Sequence, residues 1–181
     1  MVDESGSMDG NLSILASKLV IMFYEAMLNY PKIKLFVYGH GDVVYKYIDP
    51  KNCKNKFVLG ARNSQCGQNE NSSYKMIIDD VKSMTKLPIV AFNITDSCYI
   101  ADLKELSILT NNLRNDKTQK AFINLIALGH NYGVTSSISE WNDRIYGTNN
   151  WVSLDGTNYN NKSINDILKK MAEIMKRTIK I

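Results

Sequence analysis

Residues 2–8 of the chain are Val2-Asp3-Glu4-Ser5-Gly6-Ser7-Met8, in which one carboxylate and two hydroxyls occupy alternate positions. Gly6 allows a sharp bend between the two serines, so that the three oxygen-bearing side chains can converge on one turn. Such a turn suits a small divalent cation, because Mg²⁺ takes six oxygens at about 2.0–2.1 Å and keeps several waters. The stretch predicts a strand that ends at Asp3 and half of a metal site. The alternative is a helix cap built from Asp3 with serines in the turn.

The composition is that of one globular domain, with 181 residues of which 44% are hydrophobic. The net charge of +4 arises from 22 basic and 18 acidic residues, and the basic residues are scattered outside the last helix, which argues against nucleic acid. No stretch approaches the roughly 18 apolar residues of a membrane span, and the N-terminus lacks the pattern of a secretory signal. We therefore expect a cytoplasmic protein that does not enter a membrane, or a virion-associated one if the gene belongs to a phage.

The three cysteines, Cys53, Cys66 and Cys98, are odd in number and lack C-x-x-C spacing. Neither a disulfide framework nor a zinc site is indicated, so we expect reduced thiols.

Hydrophobic periodicity divides the chain into alternating helices and strands. Apolar residues at steps of three and four predict helices at 12–28, 72–87, 102–113, 137–145 and 164–179. Runs of β-branched and aromatic residues predict strands at 33–38, 43–48, 89–95, 121–128 and 151–154. The polar segment 51–71 predicts a long surface loop, with a short strand at 57–59.

This alternation predicts an α/β fold with three layers, a doubly wound and mostly parallel sheet that carries one antiparallel edge hairpin near Gly39. The runs 89–95 and 121–128 are almost continuously apolar, as strands buried on both faces are. In such sheets ligands bind beyond the carboxyl ends of the strands. Asp3 and Asp96 each follow a strand, so both are candidates for one site.

On these residues the chain resembles a von Willebrand factor A (VWA) domain with a metal-ion-dependent adhesion site (MIDAS). The resemblance rests on residues 2–8 before a long helix, on Ile94-Thr95-Asp96-Ser97 and on Leu125-Ile126-Ala127-Leu128-Gly129, and it covers nearly the whole chain in order. It implies that Ser5 and Ser7 bind Mg²⁺, or Mn²⁺ or Ca²⁺, directly. It also implies that Asp3 and Asp96 hold the ion largely through waters, and that a partner protein supplies an Asp or Glu.

The third metal motif of the family is usually a threonine in a Gly-Gly-Thr loop, which is absent here. The corresponding residues 66–72 are closer to the cobaltochelatase-type branch, in which an Asn-x-Asp-Gly-Glu pattern takes that place. Asn69 and Asn71 would match its Asn and Asp. Because Asn71 replaces a carboxylate, we expect a weaker Mg²⁺ site in which Asn69, Asn71 and Ser72 offer neutral oxygens.

The first strand is truncated in comparison with the family, since only Met1 and Val2 precede Asp3. A central strand that short leaves unpaired backbone groups in its neighbours. We therefore expect residues 1–181 to form a single VWA-like domain that is the C-terminal part of a longer polypeptide, or one whose first strand is completed by another chain.

Other polar residues near the strand ends have plainer interpretations. His40 and His130 are interpreted as loop histidines, because an imidazole would be foreign to an all-oxygen site. Glu4 is interpreted as a solvated loop carboxylate rather than a base. Ser5 lacks the preceding glycine of a hydrolase elbow, and no catalytic residues are predicted.

The favoured hypothesis is a metal-dependent protein–protein binding module without catalytic activity of its own, which captures a partner's carboxylate through the ion and works with an AAA+ ATPase. One alternative is a VWA subunit of a cobalt or magnesium chelatase-like enzyme complex. Another is a structural or virion assembly component in which the metal site has decayed.

Overall fold

A six-stranded sheet with the strand order β3-β2-β1-β4-β5-β6 forms the centre of the computed structural model, which describes residues 1–48, 70–97, 102–129, 136–156 and 158–179. β3 runs antiparallel to β2, and the other neighbouring strands are parallel. The predicted mostly parallel sheet with one antiparallel edge pair is confirmed. The strands are β1 Val2–Asp3, β2 Val37–His40, β3 Val44–Ile48, β4 Ile89–Thr95, β5 Ala121–Gly129 and β6 Trp151–Asp155.

Helices cover both faces of the sheet and make the predicted three layers. Buried apolar residues of α1 and α5 pack on one face, and those of α2, α3 and α4 pack on the other. Asp102 caps α3 by accepting hydrogen bonds from the backbone N–H groups of Lys104 and Glu105. The helices are α1 Asn11–Met27, α2 Glu70–Met84, α3 Leu103–Arg114, α4 Ser136–Tyr146 and α5 Asn161–Ile179.

In the part of the chain that the structure describes, no helix combines the length and the apolar character needed to cross a bilayer.

Two predicted boundaries are wrong for physical reasons. α2 already includes Glu70, so the predicted start at residue 72 is wrong, and Ser73 is buried within the helix. β2 begins at Val37 rather than at residue 33, because β1 offers only two residues for it to pair with. The predicted strand at 57–59, the three cysteines and His130 lie outside the described residues.

The central strand β1 is short and is held between two longer neighbours. Val2 pairs with Gly39 of β2 and with Ile94 of β4. The amino group of Met1 donates a hydrogen bond to Phe92 O at 2.7 Å, and the backbone N–H of Ile94 donates to Met1 O at 3.0 Å. These contacts place the end of β1 at the carboxyl edge of the sheet.

Below that edge a chain of buried polar side chains joins two strands to two helices. His40 Nε2 donates to Asn93 Oδ1 at 2.6 Å, and Asn93 Nδ2 donates to the Tyr74 hydroxyl at 2.7 Å. The hydroxyls of Tyr74 and Tyr146 lie 3.0 Å apart. His40 is therefore not the loop histidine expected from the sequence. It is the fully buried last residue of β2, and burial lowers its pKa to about 4.

Burial of neutral His40 predicts a loss of stability in acid. The unfolded imidazole has an ordinary pKa near 6.5, so the unfolded chain takes up this proton first as the pH falls. The stabilisation is complete above about pH 6.5 and is lost as the pH falls through about 4, by at most about 3 kcal/mol. His40→Gln, which stays neutral, should show a shallower decline in the free energy of unfolding between pH 7.5 and 4.5.

Urea denaturation of both proteins across this range measures the difference, because the remaining groups titrate in both. Parallel declines in the two proteins would contradict the assigned role of His40.

Candidate metal site

The candidate site lies where β1 and β4 end side by side. Because Val2 pairs with Ile94, Asp3 lies beside Thr95, and Asp96 follows directly after β4. The structure thus brings together Asp3 and Asp96, the two carboxylates that the sequence assigned to one site. Asp96 lies close enough that its negative charge acts on the Asp3 carboxyl.

The carboxylate of Asp3 is almost completely buried, with 2% of the residue exposed. Its Oδ1 accepts a hydrogen bond from the backbone N–H of Ser5 at 2.8 Å, and its Oδ2 accepts one from the Thr95 hydroxyl at 2.6 Å. Burial raises the pKa of Asp3 to about 6 against the opposing effect of these bonds, and the charge of Asp96 raises it further. A buried carboxylate next to a second one would be stabilised by a cation.

The two serine hydroxyls lie close together in the turn that follows Asp3. Ser5 precedes a 3₁₀ turn that contains Ser7, and the two Oγ atoms lie 3.0 Å apart at an exposed position. The two hydroxyls hydrogen-bond to each other at this distance, and the same separation is compatible with two adjacent ligands of an octahedral ion with bonds of about 2.0–2.1 Å.

Backbone geometry at two further residues shapes the site. Gly10 has a φ of 74°, which turns the chain from the serine-bearing loop into α1. Ser97 also has a positive φ, of 64°, and its backbone N–H donates to Thr95 Oγ1 at 3.1 Å. The Thr95 hydroxyl is thus oriented from one side by Ser97 while it donates to Asp3 on the other.

Asn71 lies in the first turn of α2. Its Nδ2 donates to Glu105 Oε2 at 3.4 Å, so the hydrogen bond that orients this side chain runs to α3 rather than to the turn between Asp3 and Ser7. Its Oδ1 is buried and has no hydrogen-bond partner among the described residues, which leaves one neutral oxygen available. Asn69 and its place in the site lie outside the described residues.

Glu4 is not the solvated loop carboxylate that the sequence suggested. It is 8% exposed, and the Tyr47 hydroxyl of β3 donates a hydrogen bond to its Oε1. The carboxylate lies over Gly39, where a Cβ atom would collide with it. The Glu4 side chain thus contacts residues of β2 and β3, whereas the Asp3 side chain contacts Thr95 of β4.

The donor set of this edge is two carboxylates and two hydroxyls. The described residues contain no cluster of three or more His, Cys, Asp or Glu side chains placed so that they could hold a metal ion together. Oxygen donors of low total charge suit hard cations such as Mg²⁺, Mn²⁺ or Ca²⁺ better than zinc. The spacing of the serine oxygens and the orientation of Asp3 fit such an ion.

No protein-family model matches this chain, and no curated protein matches it. The fold itself defines a three-layer α/β protein with a mostly parallel sheet.

The role of Thr95 in this site was not predicted from the sequence. Thr95 was part of the stretch that carried the resemblance, yet the structure makes it the side chain that joins β4 to Asp3. The available signal was the alternation of side chains along parallel strands, which places residues of equal parity on one face. Applying it requires the register between β1 and β4, and a single sequence does not contain that register.

The bond between Thr95 and Asp3 predicts a specific loss of stability. Thr95→Val keeps the shape of the side chain but leaves a buried carboxylate oxygen without its donor, which should lower the free energy of unfolding by about 1–3 kcal/mol. Thr95→Ser keeps the hydroxyl and serves as the matched control. Urea denaturation at pH 7 compares the two variants. If the valine variant were as stable as the serine variant, this hydrogen bond would make no net contribution to the free energy of unfolding.

Proposed function

We propose that this chain is a metal-dependent protein-binding module, in which a Mg²⁺-like ion held at the end of β1 captures a carboxylate of a partner protein. The observation that carries the proposal is the pair of hydroxyls of Ser5 and Ser7, 3.0 Å apart and exposed, beside the buried and oriented carboxylate of Asp3. The resemblance to VWA domains with a MIDAS supports the same assignment.

In this proposal the side chains have separate tasks. Ser5 and Ser7 bind the ion directly through their hydroxyl oxygens. Asp3 and Asp96 supply negative charge, largely through waters, and Asp3 is kept in place by Thr95 and by the backbone N–H of Ser5. The ion supplies a positive centre that can bind a further oxygen ligand.

The charge balance explains why that further ligand would be a carboxylate. Two carboxylates offset the charge of a divalent ion, and the serine hydroxyls and Asn71 add none. Because these two carboxylates would act largely through waters, the ion would keep a coordination position that an oxygen of an outside carboxylate can take. Asn71, where the cobaltochelatase-type pattern has Asp, favours this outcome, because a third carboxylate in the protein would compete with the partner for the ion.

The partner that we propose is a protein presenting an Asp or Glu, and by resemblance to the cobaltochelatase-type branch it is an AAA+ ATPase. The described residues support an acceptor surface rather than a reaction centre, because the oxygens at the exposed side of the site belong to hydroxyls and not to an acid–base pair.

Metal binding is tested by titrating Mg²⁺ and Mn²⁺ into the protein by calorimetry. Ser5→Ala and Ser7→Ala should each weaken binding roughly tenfold or more, because each removes a direct ligand. Ser13→Ala is the matched control, since the Ser13 hydroxyl is also exposed nearby but donates to Gly10 O of its own helix turn. Absence of binding to the wild type, or equal binding by the Ser5, Ser7 and Ser13 variants, would reject the site.

Capture of a carboxylate is tested with acetate as the probe. Acetate added to the Mn²⁺-loaded protein should displace a bound water and lower the water-proton relaxation enhancement, whereas neutral acetamide should leave it unchanged. The double variant Ser5→Ala/Ser7→Ala should respond to neither. An enhancement that saturating acetate does not alter would rule out carboxylate capture while leaving metal binding intact.

A further inference from the structure

The side of α1 that faces solvent carries large apolar residues. Leu15 and Leu19, on the inner side of the helix, are fully buried in the core that α1 shares with the sheet and α5. Ile14, Ile21 and Leu28, on the outer side, are between 40% and 63% exposed. A helix that covers a sheet normally carries polar and charged residues on its outer side. Neighbouring apolar residues on a surface are typical of an interaction site.

The exposed residues follow the spacing with which two helices pack side by side. Lys18 and Glu25 are exposed too, and they are the only charged residues of α1. Leu28, the C-cap residue, keeps helical backbone angles. At 3.6 residues per turn, these five residues fall within about 80° of the helix circumference. They are separated by alternate steps of four and three, as in a coiled-coil seam, and we call them the α1 stripe: Ile14, Lys18, Ile21, Glu25 and Leu28.

The two charges of the α1 stripe are opposite in sign and symmetric about its centre. Lys18 and Glu25 are equally far along the chain from the midpoint between Ile21 and Met22, and Met22 is itself exposed. A two-fold axis through this midpoint would place Lys18 of each copy opposite Glu25 of the other copy. It would also place Ile21 opposite Met22. A parallel pair of α1 helices would place like charges opposite each other, which is unfavourable.

Lys18 has one contact within the chain, which leaves its charge available. Its amino group lies 5.6 Å from the centre of the Tyr159 ring. Such a contact is weak at an exposed site, and the ammonium group keeps hydrogen-bond donors for a carboxylate.

We propose that the α1 stripe is the interface of an antiparallel, two-fold symmetric dimer of this chain. The charge pattern selects a second copy as the partner, because the stripe is complementary to itself in this orientation. Ile14 of each copy would pack near Leu28 of the other. One helix from each copy makes a small interface, so we expect a dimer with a Kd in the range of about 1 μM to 1 mM.

The proposed dimer does not rest on the proposed metal site, but it has a consequence for that site. The turn with Ser5 and Ser7 lies directly before α1. In an antiparallel pair the two turns therefore lie at opposite ends of the paired helices, so one dimer would present two separate sites.

Sedimentation equilibrium at low ionic strength tests the dimer and its orientation. Lys18→Glu and Glu25→Lys should each weaken dimerisation roughly tenfold or more, because each replaces two attractive pairs by two repulsive ones. The double variant Lys18→Glu/Glu25→Lys restores opposite charges and should dimerise like the wild type. Lys75→Glu, an equal charge change at an exposed residue of α2 on the other face of the sheet, is the matched control and should have no effect.

Mixing the two single variants gives a second, independent test. In a mixed pair one copy supplies only negative and the other only positive charges, so Lys18→Glu and Glu25→Lys should associate with each other although neither pairs well with itself. This association would also show that both variants fold. A wild type that stays monomeric up to about 1 mM would overturn the proposal. A dimer that these charge changes leave unaffected, or that either single variant strengthens, would overturn the antiparallel α1 interface.

Discussion

The hydrogen bond from the Thr95 hydroxyl to the carboxylate of Asp3 is the interaction on which the edge of the sheet depends. A carboxylate that is 2% exposed must be supplied with donors, or it destabilises the fold. Thr95 provides one donor from β4, and the backbone of Ser5 provides the other from the turn. The same two bonds that make burial of Asp3 tolerable also fix the direction in which the serine turn leaves the sheet.

The hydrogen-bonded series of buried polar side chains beneath this edge links β4 to a further strand and to a helix. Asn93 lies two residues before Thr95 on the same face of β4 and links His40 of β2 to Tyr74 of α2. Through side chains at alternate positions, β4 thus orients Asp3 of the adjacent strand β1 and His40 of β2, one strand further away. Such networks favour one arrangement of the core, because every displaced member would leave a buried polar atom without a partner.

Much of the architecture could be predicted from the sequence because periodicity is a local property. The runs 89–95 and 121–128 are apolar enough to indicate buried parallel strands. The placing of Asp3 and Asp96 in one site could be predicted because the carboxyl ends of parallel strands lie at the same edge of the sheet. The environments of Glu4 and His40 could not be predicted, since they depend on which residues lie opposite in β2, β3 and β4. A sequence pattern identifies the face of a strand but not its register with a partner distant in the chain.

The two carboxylates of the candidate site come from parts of the chain that are far apart, since the bond between Asp3 and Thr95 spans 92 residues. Closing so large a loop is entropically unfavourable, so local units such as the β4–α3–β5 crossover can gain contacts before the first strand joins the sheet. When the chain is synthesised from its amino end, Asp3 and the serine turn are made first. Their partners Thr95 and Asp96 become available only after β4 has left the ribosome. The turn that opens the sequence is therefore completed as a site only when most of the sheet has assembled.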